Sequence, residues 1–438
     1  MLEIRLIREN PEAVRNDLRK RGDAEKLRML EDLIAVDKEW RQVKERAEGL
    51  RAERNKASRK VNELKKAGRD ASAAIREAAE IPDKIADLEA RMEALRHKED
   101  FHLMRLPNIL HESVPQGVGE EGNVVVRTWG EANKPAFPVK SHVDLLQLLD
   151  VADLGRAANV AGARFYYLKN ELVLLDLAIQ RFALDILCGK GFTPVYPPFF
   201  MHRKPYEGVT DLKDFEDVMY KIEGEDLYLI ATSEHPLAAM HMGEIFEEDA
   251  LPVRYAGVST CFRKEAGAHG KDTKGIFRVH QFTKVEQFVF CRPEDSWKIH
   301  EELIANAEEV FRRLGIPYRV VNICTGDIGT VAAKKYDLEA WMPAQGVYRE
   351  AVSCSNCTSY QAARLGIRYR KARRFDEKEL VHTLNSTAVA NPRAMVAILE
   401  NFQQEDGSVR IPDALVPYMN GVTEIRPRMG RRAEDKTK

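Results

Sequence analysis

From residue 29 the apolar and small positions fall at alternating steps of three and four. They are Met29, Leu33, Val36, Trp40, Val43, Ala47, Leu50, Ala57, Val61 and Leu64, with Arg54 the one polar intruder. Such stepping is a heptad seam, narrower than the apolar face of a globular helix. Gly68 breaks it, and Ala74, Ala78, Ile81, Ile85, Leu88, Met92 and Leu95 resume it. Two seams joined by a short turn predict an antiparallel helical hairpin. At 1.5 Å per residue the limb from Met29 to Leu64 would be about 54 Å long, too long for a domain of ordinary size to cover. It is expected to project as an arm. Pro82 lies within the returning limb, where its missing N–H and its ring predict a kink or a restart. Upstream, Asn10, Pro11 and Glu12 read as a helix start: a capping side chain, a proline at the first helical position and an acid in the first turn.

Past this region the periodicity changes. Residues 106–122 carry prolines, glycines and acids without apolar rhythm and are expected to link an N-terminal helical domain, 1–105, to a second domain, 123–438. In the second domain "NVVVRTWG", "FTPVYPPFF", "DLYLIAT", "VEQFVFC" and "YRVVNIC" read as strands, and 171–190 and 294–314 as helices. Strands without a regular β-α-β rhythm predict a mostly antiparallel sheet, an α+β domain.

Charge sharpens the reading of the arm. The chain has 68 basic and 69 acidic residues, so any attraction for a polyanion must come from a local patch. Between residues 51 and 69 stand Arg51, Arg54, Lys56, Arg59, Lys60, Lys65, Lys66 and Arg69 against only Glu53 and Glu63. This stripe is either a solvated coiled-coil face or a nucleic-acid contact. No apolar stretch approaches the roughly 20 residues of a membrane span. The six cysteines are sparse, which favours reduced thiols and a cytoplasmic setting. Cys354 and Cys357 form the one C-x-x-C, without two further ligands at zinc spacing.

Three stretches carry candidate chemistry. "LIATSEHPLAAM" places Thr232 and Glu234 two residues apart. At the end of a strand they would share a face, and the alternative is a helix cap. "FRKEAGAHGKDTKGIFRVHQFTKVEQF" pairs Arg263 with Glu265 on a strand and returns through a Gly- and Lys-rich loop to Val279, Phe282 and Glu286. An arginine fork suits a phosphate under displacement, and Phe282 suits a nucleobase. The alternative is an ordinary hairpin with cross-strand charge pairs. Finally, Glu350 and Ser353 are oxygen ligands of the kind that hold Mg²⁺ on phosphates. Asn385, Ser386, Thr387 and Ala388 lead into a helix bearing Arg393.

In this order the motifs resemble those of seryl-tRNA synthetases, from "IRENPEAVR" to "VRIPDALVPYM". "GFTPVYPP", "FRKEAG" with "FRVHQFTKVEQF", and "NSTAVANPRAMVAILEN" are similar to the three signatures of class II aminoacyl-tRNA synthetases. "TSE" and the long hairpin are similar to features of the seryl branch. Two departures stand out: the third signature lacks the usual glycines, and neither thiol of "CSNC" matches a family role.

The resemblance implies an antiparallel class II catalytic domain with an N-terminal coiled-coil arm. It implies activation of L-serine by ATP with Mg²⁺, and transfer to tRNA(Ser), and leaves open whether tRNA(Sec) is also a substrate. Serine would be held by Thr232, Ser233, Glu234, Glu286, Asn385 and Thr387. ATP would be held by Arg263, Lys264, Glu265, Val279, Phe282, Glu350, Ala351, Val352, Ser353 and Arg393. Of these, Arg263, Glu265 and Arg393 would be catalytic, Arg263 on the α-phosphate, and adenine would lie between Phe282 and Arg393. Glu350 and Ser353 would serve Mg²⁺, the first signature would build a homodimer interface, and the arm would grip the tRNA. The rival readings are a paralogue that binds without activating, a coiled-coil interaction protein, and a class II synthetase of another specificity.

Overall fold

The computed structural model describes residues 1–132, 135–210, 218–265, 272, 274–371 and 374–428, with the side chains of 374–376 excepted. The Gly- and Lys-rich loop singled out in the sequence lies largely outside the described residues, at 266–271 and 273. Contacts divide the chain into two compact units, Met1–Pro107 and Asn108–Lys438. Among the described residues, no helix is long and apolar enough to cross a membrane.

The first unit is helical. Helix α1 (Pro11–Arg21) starts on Asn10, whose side chain accepts the Ala13 N–H at 3.1 Å. Asp23 caps α2 (Ala24–Lys66), which runs 43 residues, about 65 Å at helical rise. After Gly68, at φ +66°, the chain returns through α3 (Ser72–Ala79) and α4 (Ile81–Leu103). Pro82 sits in the first turn of α4, so the returning limb restarts there, where the lost N–H has no helical partner to forfeit.

The seam is as spaced, with one shift. Leu33, Val43 and Ala47 are buried on α2, and Ala74, Ile81, Ile85 and Leu95 on the return. At the base, however, Leu30 and Asp37 take the inner positions expected of Met29 and Val36. Asp37 is tolerated because Arg8 and Arg41 reach its carboxylate at 2.6 and 3.0 Å. Ion pairs Arg51–Glu89 (2.6 Å) and Arg91–Glu39 (2.5 Å) join the limbs. Of the basic stripe, only Arg51 is ion-paired among the described residues, and the other seven side chains are exposed.

The second unit is built on an eight-stranded sheet. Its strands are β1 (Val124–Trp129), β2 (Thr193–Val195), β3 (Val253–Phe262), β4 (Gln281–Cys291), β5 (Tyr318–Asn322), β6 (Lys334–Met342), β7 (Val347–Asn356) and β8 (His382–Ala390). They lie in the order β1-β5-β6-β7-β8-β4-β3-β2, and every pair but β2–β3 is antiparallel. Helices α5 (Glu171–Gly189), α6 (Ser296–Leu314) and α7 (Asn391–Asn401) contribute Phe182, Phe311 and Met395 to a continuous apolar core with the sheet. Residues 108–122 hydrogen-bond into this unit, with Asn108 N to Thr330 O at 2.8 Å and Thr325 N to Pro115 O at 2.9 Å.

Candidate active site

The sheet aims three central strands at one place. On β4 the period of two puts Phe282, Lys284 and Glu286 on one face. Across the ladder, Thr387 of β8 stands opposite Glu286, next to a bulge, and donates its hydroxyl to Glu286 Oε2 at 3.0 Å. Gly257 of β3 flanks Glu286 on the other side. A Cβ there would come within 2.8 Å of Ser233 Oγ and 2.7 Å of Leu237. Its absence lets the turn carrying Thr232, Ser233 and Glu234 descend onto the sheet, where Ser233 Oγ donates to Gly257 O at 3.3 Å.

That turn corrects one expectation. The strand ends at Leu229, and Glu234 opens a short helix, Glu234–Ala239, so Thr232 and Glu234 share no strand face. Thr232 Oγ1 instead accepts the Glu234 N–H at 3.2 Å, the local bond of a helix start. Arg263 and Glu265 differ in the same way. Strand β3 stops at Phe262, and Glu265 adopts φ +49°, which turns its carboxylate toward Arg278 at 2.9 Å.

Thr232, Glu234, Arg263, Phe282, Glu286, Glu350, Ala351, Ser353, Asn385, Thr387 and Arg393 all line one cavity of about 360 Å³. Beside it a slot is walled by Arg263, Glu265, Val279, Phe282 and Arg393 with Phe277 and Arg278. Ser233, Lys264 and Val352 line neither: Ser233 is buried behind the turn, Lys264 is exposed, and Val352 belongs to the core. Within the slot Arg263 lies over the Phe282 ring at 5.3 Å, and Arg393 lies over Phe277, also at 5.3 Å. Arg393 also donates to the Glu350 backbone oxygen at 3.0 Å and pairs with its carboxylate at 3.1 Å.

Several cavity residues were not singled out by sequence. Lys284 bridges Thr232 and Glu286, and Gln361, buried behind the cavity wall, donates to Glu234 Oε1 at 2.9 Å. His235 lines the wall with Nδ1 3.0 Å from Tyr206 Oη; burial, Lys284 and Arg263 push its pKa down to about 3, so it stays neutral. Cys357 reaches the cavity too, its Sγ 3.6 Å from Asn385 Nδ2, while Cys354 lies in the core. The alternation of β4 could have found Lys284. Phe277 and Gln361 carry no local signal.

Electrostatics separate the carboxylates. Enclosure by the cavity walls pushes Glu350 up, but Arg393, Lys335 and Arg263 more than reverse this and hold it below its ordinary value. Glu350 is therefore ionised at neutral pH. Glu234 moves the other way: burial, then the charge of Glu286, raises its pKa from 4.5 to about 7. The folded protein keeps this proton up to about pH 7 while the unfolded chain releases it near pH 4.5. Glu234 therefore takes stability away as pH rises through that window. Glu234→Gln keeps the oxygen that receives Gln361, and is expected to raise Tm at pH 8 by roughly 2 °C relative to any change at pH 5. Equal shifts at both pH values in differential scanning fluorimetry would contradict this.

Among the described residues the arrangement offers arginines, an ionised carboxylate and aromatic faces beside a small polar pocket. It suits displacement at a phosphate that needs positioning and charge neutralisation. Comparisons with known proteins agree. Residues 1–110 match the seryl-tRNA synthetase N-terminal domain, and residues 218–402 match the tRNA synthetase class II core domain (G, H, P, S and T). The serine–tRNA ligase of Methanocella arvoryzae is 62% identical over 96% of this chain and 99% of its own. The crystal structure of seryl-tRNA synthetase from Pyrococcus horikoshii complexed with ATP superposes with a TM-score of 0.94 at 55% identity, covering 98% of this chain and 100% of that one. The cytoplasmic serine–tRNA ligase from Naegleria fowleri in complex with AMP gives 0.88 at 39% identity, over 98% and 99%. With both family models and full-length relatives in agreement, the chain belongs to the seryl-tRNA synthetase family and carries its helical N-terminal domain and class II catalytic core.

Proposed function

We propose that the cavity binds L-serine among Thr232, Glu234, Glu286, Asn385 and Thr387, and the triphosphate of ATP along Arg263, Glu350, Ser353 and Arg393. Adenine takes the adjoining slot beside Phe282 and Phe277, near Val279 and Glu265. The observation that carries this reading is the convergence of Arg263 and Arg393, 130 residues apart in sequence numbering, on one cavity that also contains the Glu286–Thr387 pair. The family membership makes the chain an ATP-dependent ligase that joins serine to tRNA.

In the first step a serine carboxylate oxygen attacks the α-phosphorus, and the bond from that phosphorus to the bridging oxygen breaks to release pyrophosphate. No proton has to leave either reactant, so this step needs no general base. Arg263 follows charge onto the α-phosphate oxygens, and Arg393 exchanges its bond with Glu350 for the phosphates. In the second step a terminal ribose hydroxyl of the tRNA attacks the seryl carbonyl, the bond from that carbon to the phosphate oxygen breaks, and AMP leaves with its phosphate as the acceptor of the hydroxyl proton.

Mg²⁺ fits the residues present. An ionised Glu350 and the Ser353 hydroxyl, which also engages Asp337, supply few protein ligands, as suits an ion that keeps waters and takes substrate phosphates. Bound there, it would neutralise phosphate charge as pyrophosphate departs.

The arm takes tRNA(Ser), because seven exposed cations of the 51–69 stripe, without an ion pair among the described residues, suit a phosphate backbone. Deleting residues 30–98 is expected to leave serine-dependent ATP–pyrophosphate exchange intact and to lower tRNA charging by about 10²-fold, with its steep salt dependence lost. Equal charging by full-length and deleted proteins at 50 and 200 mM salt would refute the assignment.

The protein acts as a homodimer through the surface around "GFTPVYPP". Tyr196 is 75% exposed and Met240 52%, and with Pro197, Phe200 and Leu237 they border an apolar hollow of about 470 Å³. Exposed apolar surface of this kind marks an interface. All six cysteines are free thiols, which suits the cytoplasm.

A further inference from the structure

Lys284 is 5% exposed and projects from the centre of the sheet into the cavity wall. Its ammonium donates to Thr232 Oγ1 at 2.6 Å and pairs with Glu286 Oε2 at 2.6 Å. Oε2 also receives Thr387, so it holds two donors, whereas Glu286 Oε1 accepts nothing among the described residues. Thr232 Oγ1 receives both Lys284 and the Glu234 N–H, so both of its acceptor positions are filled. What Thr232 can still offer the cavity is its hydrogen.

We propose that Lys284 is a positioning residue for serine selectivity: by occupying one oxygen of Glu286 and the lone pairs of Thr232, it leaves the pocket with one directed acceptor and one directed donor. This inference rests on reading the cavity as the serine site. Packing alone does not require an ammonium here, since an apolar side chain of similar length fills such space at little or no cost when its partner is neutralised with it. A buried cation paired with Glu286 and close to Glu234 instead fixes which oxygen faces the substrate. A hydroxymethyl group then meets an acceptor, and a methyl group leaves that acceptor unpaired.

The test is a double-mutant cycle read by ATP–pyrophosphate exchange with serine and with alanine. Lys284→Met is expected to raise KM for serine and lower kcat/KM about 10²-fold, to lower the serine-to-alanine ratio in parallel, and to leave KM for ATP within about twofold. In a Glu286→Gln background, where shape is kept and the partner charge is gone, the same substitution is expected to change the ratio by less than about twofold. Should Lys284→Met fail to fold, Lys284→Gln, which keeps a donor for Thr232 without the charge, takes its place in the cycle and is expected to lower the ratio in the same direction. An unchanged ratio in the single variant, or an undiminished loss in the Glu286→Gln background, would overturn the proposal. A wild-type protein inactive with serine would overturn the assignment of the cavity, and this inference with it.

Discussion

Replacing Arg263 by alanine is expected to lower kcat/KM for serine-dependent ATP–pyrophosphate exchange about 10³-fold. The guanidinium lies over Phe282, donates Nε to Ala231 O at 3.3 Å, and belongs to both the cavity and the slot. It is thus held at the junction where base and phosphates would meet. Arg393, the other arginine common to cavity and slot, is paired with Glu350, so charge that develops on the α-phosphate oxygens relies on Arg263 for its fork, and water is a poor substitute because it must reorganise during the step. Arg263→Lys should recover only part of the loss, since an ammonium lacks the planar pair of donors. A variant that folds like the wild type and retains activity within tenfold would remove Arg263 from the reaction.

Glu286→Ala is expected to lower the serine-to-alanine preference by about 10³- to 10⁴-fold, read as the ratio of kcat/KM values in exchange. Glu286 is 1% exposed and tied to Lys284 and Thr387. On the proposed reading, discrimination against alanine comes from the penalty of leaving a buried acceptor without its hydroxyl partner, and the variant abolishes that acceptor. The variant also strands the Lys284 ammonium, so the absolute rate with serine should fall as well. A preserved ratio with a reduced rate would mean that selectivity resides elsewhere in the pocket.

The arm and part of the sheet were legible because each has a strong period, whereas β6, β7 and β8 were not read as strands. Leu33, Val43, Ile85 and Leu95 fall on the expected seam, since a two-helix interface enforces steps of three and four. Asp37 was not legible: its burial depends on Arg8, 29 positions away on another helix. In the site, Glu286 stands where the alternation of its strand puts it, whereas Asn385 and Thr387, read only as part of a small polar run before a helix, lie on strand β8 opposite Phe288 and Glu286. Thr232 and Glu234 do not stand where alternation would put them, because the chain leaves the strand early and begins a helix that only the missing side chain of Gly257 allows so close to the sheet. Lys284 shares the strand face of Glu286, and only its longer reach was hidden. A lysine in a strand suggests a solvated edge, and nothing nearby announces that its partner, Thr232, lies 52 residues earlier.

Exchange of pyrophosphate into ATP by the wild-type protein, measured across a panel of amino acids, bears most directly on the cavity as a joint serine and ATP site. The account predicts that serine supports exchange and that alanine falls about 10⁴-fold below it in kcat/KM. Exchange that is absent with serine, or equally fast with alanine, would contradict it.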